Sequence, residues 1–284
     1  MTSVSSDNIL MAHAEITDEE LVEISVILNM HRNFNLSVYK DKCMKRRVSI
    51  RMRTTSCRTA AEYCNLLRQS QRELDLLQKT LTIHVSHFFR NPSMFEKLRA
   101  EVIPGLFSAC MQSDTDTLRV SCMGCAGGEE PFSLAILFRE YFSREMRSVQ
   151  TVIHGTDIDA HTIRFAEQAE YIEDRLKEVS AELKDRYFRL IESRFRLVPE
   201  IRQMVTFLQG NLTNTAAYVP SNLVLCRNTL IYFTRPDQEK ILHGFADILP
   251  AGGILVLGKS ETLVGDVRRR FEAVCPVERI YRRT

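Results

Sequence analysis

Apolar residues recur at helical spacing through roughly the first 80 positions. Leu21, Ile24, Ile27 and Leu28 share one face, and Thr17-Asp18-Glu19-Glu20 precedes them as a capping box. Met44, Val48 and Met52 recur every fourth residue, with basic residues on the neighbouring faces. Residues 60–67 and 74–81 read as two more helices. No glycine precedes Gly105, which suits a helical bundle. The period then changes. Residues 118–124 form a short β-like run ending in glycines, and 129–142 read as an amphipathic helix. Strands are predicted at 152–157, 205–208, 223–226 and 253–258. Helices are predicted at 161–169 and 236–249, the second with Thr234 and Asp237 as its capping box. Residues 271–281 suggest a closing hairpin. Alternating strands and helices imply an α/β fold, a mostly parallel sheet covered on both faces. Residues 171–204 are charged, irregular and long for a connection, so they read as an inserted subdomain.

Composition narrows the class. A chain of 284 residues with 44% apolar and 26% charged positions is ordinary for a soluble globular protein of about two domains. No apolar run approaches the ~20 residues of a membrane span, and the N-terminus has neither a basic nor an apolar signal region. A cytoplasmic location is the expectation. Net charge is only +2, but positions 40–58 hold Lys40, Lys42, Lys45, Arg46, Arg47, Arg51, Arg53 and Arg58 against Asp41 alone. A basic stretch in a near-neutral chain suggests one anionic docking surface, with a solvated charged face as the plain alternative. The eight cysteines are scattered and read as thiols in a reducing compartment. Cys122 and Cys125 form Cys-x-x-Cys without a second ligand pair, so zinc is not expected and a redox dithiol is a minor alternative. The seven histidines read as structural or exposed, and no metal is expected.

The strongest chemical signal is a strand, then Gly124-Cys125-Ala126-Gly127-Gly128, then a helix opening with Glu129-Glu130-Pro131. Glycines let a ligand approach the backbone, and a helix N-terminus offers N–H donors. The loop lacks the Gly-x-Gly-x-x-Gly spacing and the Lys-Ser/Thr of a phosphate loop, and its two glutamates would repel a pyrophosphate. A cationic nucleoside without phosphate fits, and S-adenosylmethionine is one. Asp157, ending the second strand, can accept from ribose hydroxyls, whereas Asp159 reads as the N-cap of the next helix. Asn211-Leu212 and Arg227-Asn228 follow two further strands. All four signals fall at carboxyl ends of strands, where open α/β sheets bind ligands.

Together Gly124 to Ser133, Asp157-Ile158-Asp159, Cys226 to Phe233, Gly258-Lys259-Ser260-Glu261 and His87-Phe88-Phe89-Arg90 resemble the CheR-type chemotaxis receptor methyltransferases. The resemblance runs from the basic helix near residue 40 to the last strand. It implies an N-terminal helical domain with its linker (1–90) and a Rossmann-like methyltransferase domain (91–284) containing a small inserted β-subdomain (171–204). It also implies S-adenosylmethionine-dependent O-methylation of glutamates on the cytoplasmic helices of chemoreceptors, with S-adenosylhomocysteine as the product. By position, cofactor contacts fall on Arg90, Glu130, Asp157, Asn211, Leu212, Arg227 and Asn228, beside Gly124 of the loop. Arg90 and Tyr232 match residues near the methyl-transfer site. His84 and Ser86 stand where the family has Asn and Thr, and Asn91 where Glu is common. Gly127 replaces a Thr or Ser, and Lys259 replaces the His of Gly-His-Ser-Glu.

The chemistry is coherent without the name. A glutamate acceptor with a pKa near ~4.3 is ionised at neutral pH and needs no general base. The protein must align it, and a planar arginine fork such as Arg90 suits a carboxylate. Tyr232 can donate its hydroxyl or line a methyl channel. Arg47, Arg51 and Arg53 are the candidate receptor-docking cations of the basic helix. Nucleic acid is disfavoured, because aromatic interleaving is absent. Residues 189–196 contain no glycine, unlike the subdomain loop of members that bind a receptor tail peptide by strand addition, so such binding is not expected. A non-catalytic cofactor-binding sensor of the same fold and a methyltransferase for nucleic acid or small molecules are the competing readings.

Overall fold

The computed structural model describes residues 16–32, 34–82, 86–112 and 116–284. The chain divides into two compact units, 1–83 and 84–284.

The first unit is helical. It contains α1 (Asp18–Arg32), α2 (Asp41–Thr54), α3 (Ala60–Gln69) and α4 (Gln71–Leu81). The predicted capping box at Thr17 forms, with the Glu20 N–H donating to Thr17 Oγ1 and the Thr17 N–H to Glu20 Oε2. A second box, Thr59 with Glu62, opens α3. Leu21, Ile24, Ile27, Leu28, Met44, Val48 and Met52 are all buried, as their spacing predicts. Arg51 and Arg47 of α2 turn inward. The Arg51 fork donates to both oxygens of buried Glu73 at 3.0 and 2.6 Å, and Tyr63 donates to the same carboxylate at 2.8 Å. Arg47 donates to the Thr80 carbonyl at 2.6 Å, closing the end of α4. The exposed cations of α2 include Lys42, Arg46 and Arg53.

The second unit starts earlier than residue 91. Phe88 is fully buried in its core, edge-on to Tyr171 and Phe188. The elements are α5 (Pro92–Lys97), a π turn over Leu98–Val102, α6 (Ile103–Gln112), β1 (Thr117–Met123), α7 (Glu129–Tyr141), β2 (Gln150–Asp157), α8 (Ala160–Gln168), β3 (Glu170–Tyr171), α9 (Ala181–Tyr187), β4 (Phe188–Ile191), β5 (Arg194–Leu197), α10 (Pro199–Arg202), β6 (Val205–Gln209), β7 (Leu223–Cys226), α11 (Arg235–Ile248), β8 (Ile254–Leu257), β9 (Phe271–Cys275) and β10 (Ile280–Arg283). The main sheet has seven strands in the order β6-β2-β1-β7-β8-β10-β9. The first five are parallel, and β10 runs antiparallel to both β8 and β9. β7 and β8 are buried at every position, as strands covered on both faces require. This is the Rossmann-like α/β architecture that the alternating pattern implies.

Two details differ from the sequence reading. α7 is not amphipathic over its first ten residues, where every position but Glu130 is buried. The helix packs on β1, β2 and β6 on one side and is covered by α10 on another. The inserted segment does form a three-stranded antiparallel sheet, in the order β3-β5-β4. However, Tyr171, Leu176, Phe188, Leu197 and Ile201 join the main hydrophobic core, so the subdomain has no separate one.

Candidate active site

The sheet changes winding direction between β1 and β7, which are adjacent and parallel. Chain leaving β1 goes on to β2 on one side, and β7 leads to β8 on the other, so a crevice opens at their carboxyl ends. Gly124 of the loop after β1, Asp157 at the end of β2, Asn211 after β6 and Arg227-Asn228 after β7 all lie at that edge. Four separated sequence signals therefore meet in space.

The glycine loop is shaped by its backbone. Gly124, Ala126 and Gly128 take left-handed conformations, with φ of 73°, 49° and 86°. A Cβ on Gly124 would lie 2.5 Å from Thr229 Oγ1, and one on Gly128 would lie 2.8 Å from the Phe207 ring. Asp157, itself buried, accepts from the Ala126 N–H at 3.0 Å and from the Asp159 N–H at 3.1 Å. Asp159 caps α8, as its position in the sequence suggests. The Tyr171 hydroxyl, from the inserted subdomain, donates to the Gly127 carbonyl at 2.7 Å.

Arg227 organises the opposite wall. Its guanidinium donates to Glu130 Oε2 at 2.8 Å, to the Arg90 carbonyl at 2.8 Å and to Asn91 Oδ1 at 2.6 Å. The segment carrying Arg90 is held at further points. The Phe88 N–H donates to the Arg175 carbonyl at 2.9 Å, the Phe89 N–H donates to Ser133 Oγ at 2.8 Å, and Arg175 donates to the Ser86 carbonyl. Phe89 and Asn91, on either side of Arg90, both have positive φ (52° and 63°). Such conformations persist where the surroundings over-determine them. Asn211 accepts from the Thr213 N–H and hydroxyl, both at 2.9 Å, and Leu212 is buried with its carbonyl accepting from the Tyr218 hydroxyl. Asn228 has φ 59°, and Tyr232 ends the 3-10 turn Leu230–Tyr232. His84 lies outside the described residues.

Family profiles described as "CheR methyltransferase, SAM binding domain" and "CheR methyltransferase, all-alpha domain" match residues 84–278 and 19–82. The chain belongs to the CheR methyltransferase family. Three relatives illustrate the range. A 104.1 kDa protein of Rhodobacter capsulatus is 34% identical over 93% of this chain, which spans only 27% of that protein. A chemotaxis protein methyltransferase of Borreliella burgdorferi is 27% identical over 96% of this chain and 97% of its own length. One of Listeria innocua is 28% identical over 87% and 91%.

The second unit is thus the S-adenosylmethionine-binding domain of a CheR methyltransferase, and its donor set suits that cofactor. Carboxylates of Glu130 and Asp157 flank a glycine turn that carries no lysine, an arrangement for a cation and hydroxyls rather than phosphate. Sequence reasoning missed four CheR residues that shape the site: Ser133, Tyr171, Arg175 and Glu261. Ser133 and Glu261 lie inside motifs quoted for the resemblance, which was the available signal. Tyr171 and Arg175 come from the insertion and had none. Cys122 and Cys125 are fully buried and burial pushes both thiols well up, which works against a redox thiolate. Among the described residues, Glu239, His243 and Asp266 lie within metal-ligating distance of one another. His243 already pairs with Asp266 at 2.7 Å, and Glu239 accepts the Asp266 N–H at 3.2 Å. No helix of the described residues is long and apolar enough to cross a membrane.

Proposed function

We propose that this chain transfers the methyl group of S-adenosylmethionine to glutamate side chains on chemoreceptor helices, giving glutamyl methyl esters. The observation that carries this reading is the clamped Arg90 segment beside an acid-lined, glycine-walled crevice at β1 and β7. S-adenosylmethionine supplies an electrophilic methyl carbon, which an ionised carboxylate can accept with no proton moved. Arg90 orients the acceptor, because a guanidinium fork matches a carboxylate and offsets its repulsion from Glu130 and Asp157. Tyr232 lines the path of the methyl group. Gly124, Glu130, Asp157, Asn211, Leu212, Arg227 and Asn228 hold the cofactor, joined by His84, Ser86 and Arg90 itself. Arg90→Ala should lower turnover by about 100-fold or more, since alignment supplies several kcal/mol of barrier reduction. Its affinity for S-adenosylhomocysteine should also fall, but by less than turnover, because Arg90 is one of several cofactor contacts.

The anionic receptor surface docks on α2. Arg53 is exposed there, with Lys42 and Arg46 on the same helix face. The inserted hairpin is not proposed to take a receptor tail peptide, and tight capture of such a peptide would reverse that view.

The test is methyl transfer from radiolabelled S-adenosylmethionine to chemoreceptor-bearing membranes of the source organism, followed by mild alkali. Volatile methanol released from a receptor-sized band supports a carboxyl ester. Label that survives alkali would point to another acceptor. Cofactor binding with no labelled product would favour the sensor.

A further inference from the structure

Glu261 follows β8 and is 4% exposed, yet it is a carboxyl group in the sheet's carboxyl edge. Its partners are all backbone. Oε2 accepts from the N–H of Asn228 at 2.9 Å and of Gly258 at 2.7 Å. Oε1 accepts from the N–H of Thr229 at 2.8 Å and of Ile231 at 3.3 Å. Three of these four donors belong to the loop after β7, about 30 residues earlier in the chain. That loop begins with Asn228 in a left-handed conformation and ends in the 3-10 turn that delivers Tyr232. A left-handed residue followed by a tight turn points several N–H groups inward, and four converging donors call for an acceptor with no hydrogen of its own. A glutamine would set two donors against them. Lys259, two residues away, pairs with Glu278 at 3.4 Å.

We propose that Glu261 is a positioning residue for methyl transfer, its carboxylate fixing the backbone of the 228–232 loop so that Asn228 and Tyr232 hold their places. Arg227 grips the same loop from the opposite side through Glu130 and Asn91, so the two together define its path. Gly258 is part of the device, because a Cβ there would lie 2.7 Å from both the Asn228 nitrogen and Glu261 Oε2. The inference rests on the reading that Asn228 and Tyr232 serve the cofactor and the methyl path.

The experiment uses the full chain and the variants Glu261→Gln, Glu261→Asp and Gly258→Ala. Calorimetry reads the dissociation constant for S-adenosylhomocysteine, and kcat is taken at saturating S-adenosylmethionine with receptor-bearing membranes. Glu261→Gln and Gly258→Ala should weaken binding tenfold or more and lower kcat tenfold or more. Glu261→Asp, which keeps the charge, should recover part of both. A purely structural glutamate would lower the melting temperature and leave both parameters in the folded variant within twofold of the parent, and that result overturns the proposal. Hydrogen exchange on the parent protein gives a readout independent of variant folding. The amides of Asn228, Thr229 and Ile231 should exchange as slowly as those of β7, and exchange at unprotected rates refutes the carboxylate clamp. A parent that binds no S-adenosylhomocysteine would sink the reading of the site, while the exchange result would still decide the clamp.

Discussion

Arg227 carries more of the polar order at this site than any motif spacing suggests. Three hydrogen bonds radiate from one nearly buried guanidinium to Glu130, the Arg90 carbonyl and Asn91. These bonds leave from two separate nitrogens of one rigid plane, whereas a lysine would have to make them all from a single compact ammonium, so lysine is not an equivalent. Arg227→Lys should weaken S-adenosylhomocysteine binding about 10- to 100-fold, the scale of roughly 1.5–3 kcal/mol for a lost charged hydrogen bond. Titration calorimetry measures it. Asn91 is a second residue whose identity has a local cause. Its backbone is left-handed, a conformation that asparagine tolerates better than glutamate, and its amide oxygen still accepts from Arg227. On the exposed face of α2, Arg53→Glu should lower receptor methylation and leave cofactor affinity unchanged, which the same two assays separate.

At the scale of elements, the glycine loop and the α2–α4 pairing depend on contacts that spacing alone does not reveal. Gly128 combines φ 86° with the Phe207 ring 2.8 Å from where a Cβ would stand. Gly128→Ala should therefore destabilise the second unit by about 2–4 kcal/mol, combining backbone strain with overpacking. The denaturant midpoint reads it. In the first unit, Arg51, Glu73 and Tyr63 form a buried polar triad, in which hydrogen bonding to Glu73 holds the Arg51 pKa above its ordinary value. Glu73→Ala leaves a guanidinium and a hydroxyl without their acceptor. It should cost about 3–5 kcal/mol of stability in that unit, visible in thermal unfolding followed by circular dichroism.

For the whole molecule, two histidines contribute to the acid limb of stability. Burial lowers the pKa of His87 first, and the neighbouring cations Lys177, Arg90 and Arg175 add to the effect against an opposing pull from Glu178. Burial also lowers that of His154, with Arg119 adding to it, and its Nδ1 is buried without a hydrogen-bond partner among the described residues. The fold thus favours the neutral rings. Their contribution is complete above the unfolded value of about 6.5 and is lost as pH falls through that value toward the lower folded ones. Melting temperature should drop more steeply just below about pH 6.5 than above it, and His154→Gln should flatten that slope. An unchanged slope in the variant would remove His154 from the account.

The chain's own pattern determined its two-part organisation, the order of strands and helices, the glycine turn and the acids that flank it. These are local matters of period, capping and backbone freedom, and Met44, Val48, Met52, Thr17 and Asp159 all behave as their neighbours in sequence dictate. Tertiary structure alone decided which charges are spent indoors. Arg47 and Arg51, four residues apart, share a face of α2 that in the sequence looks as open as that of Arg53, but both meet acceptors on α4, brought there by packing rather than by sequence proximity. It also decided that α7 is buried on nearly all sides, because α10 covers it. Glu261 belongs to the same class. It finds three of its four donors about 30 residues upstream, where two parallel strands end side by side, and no local periodicity records that meeting.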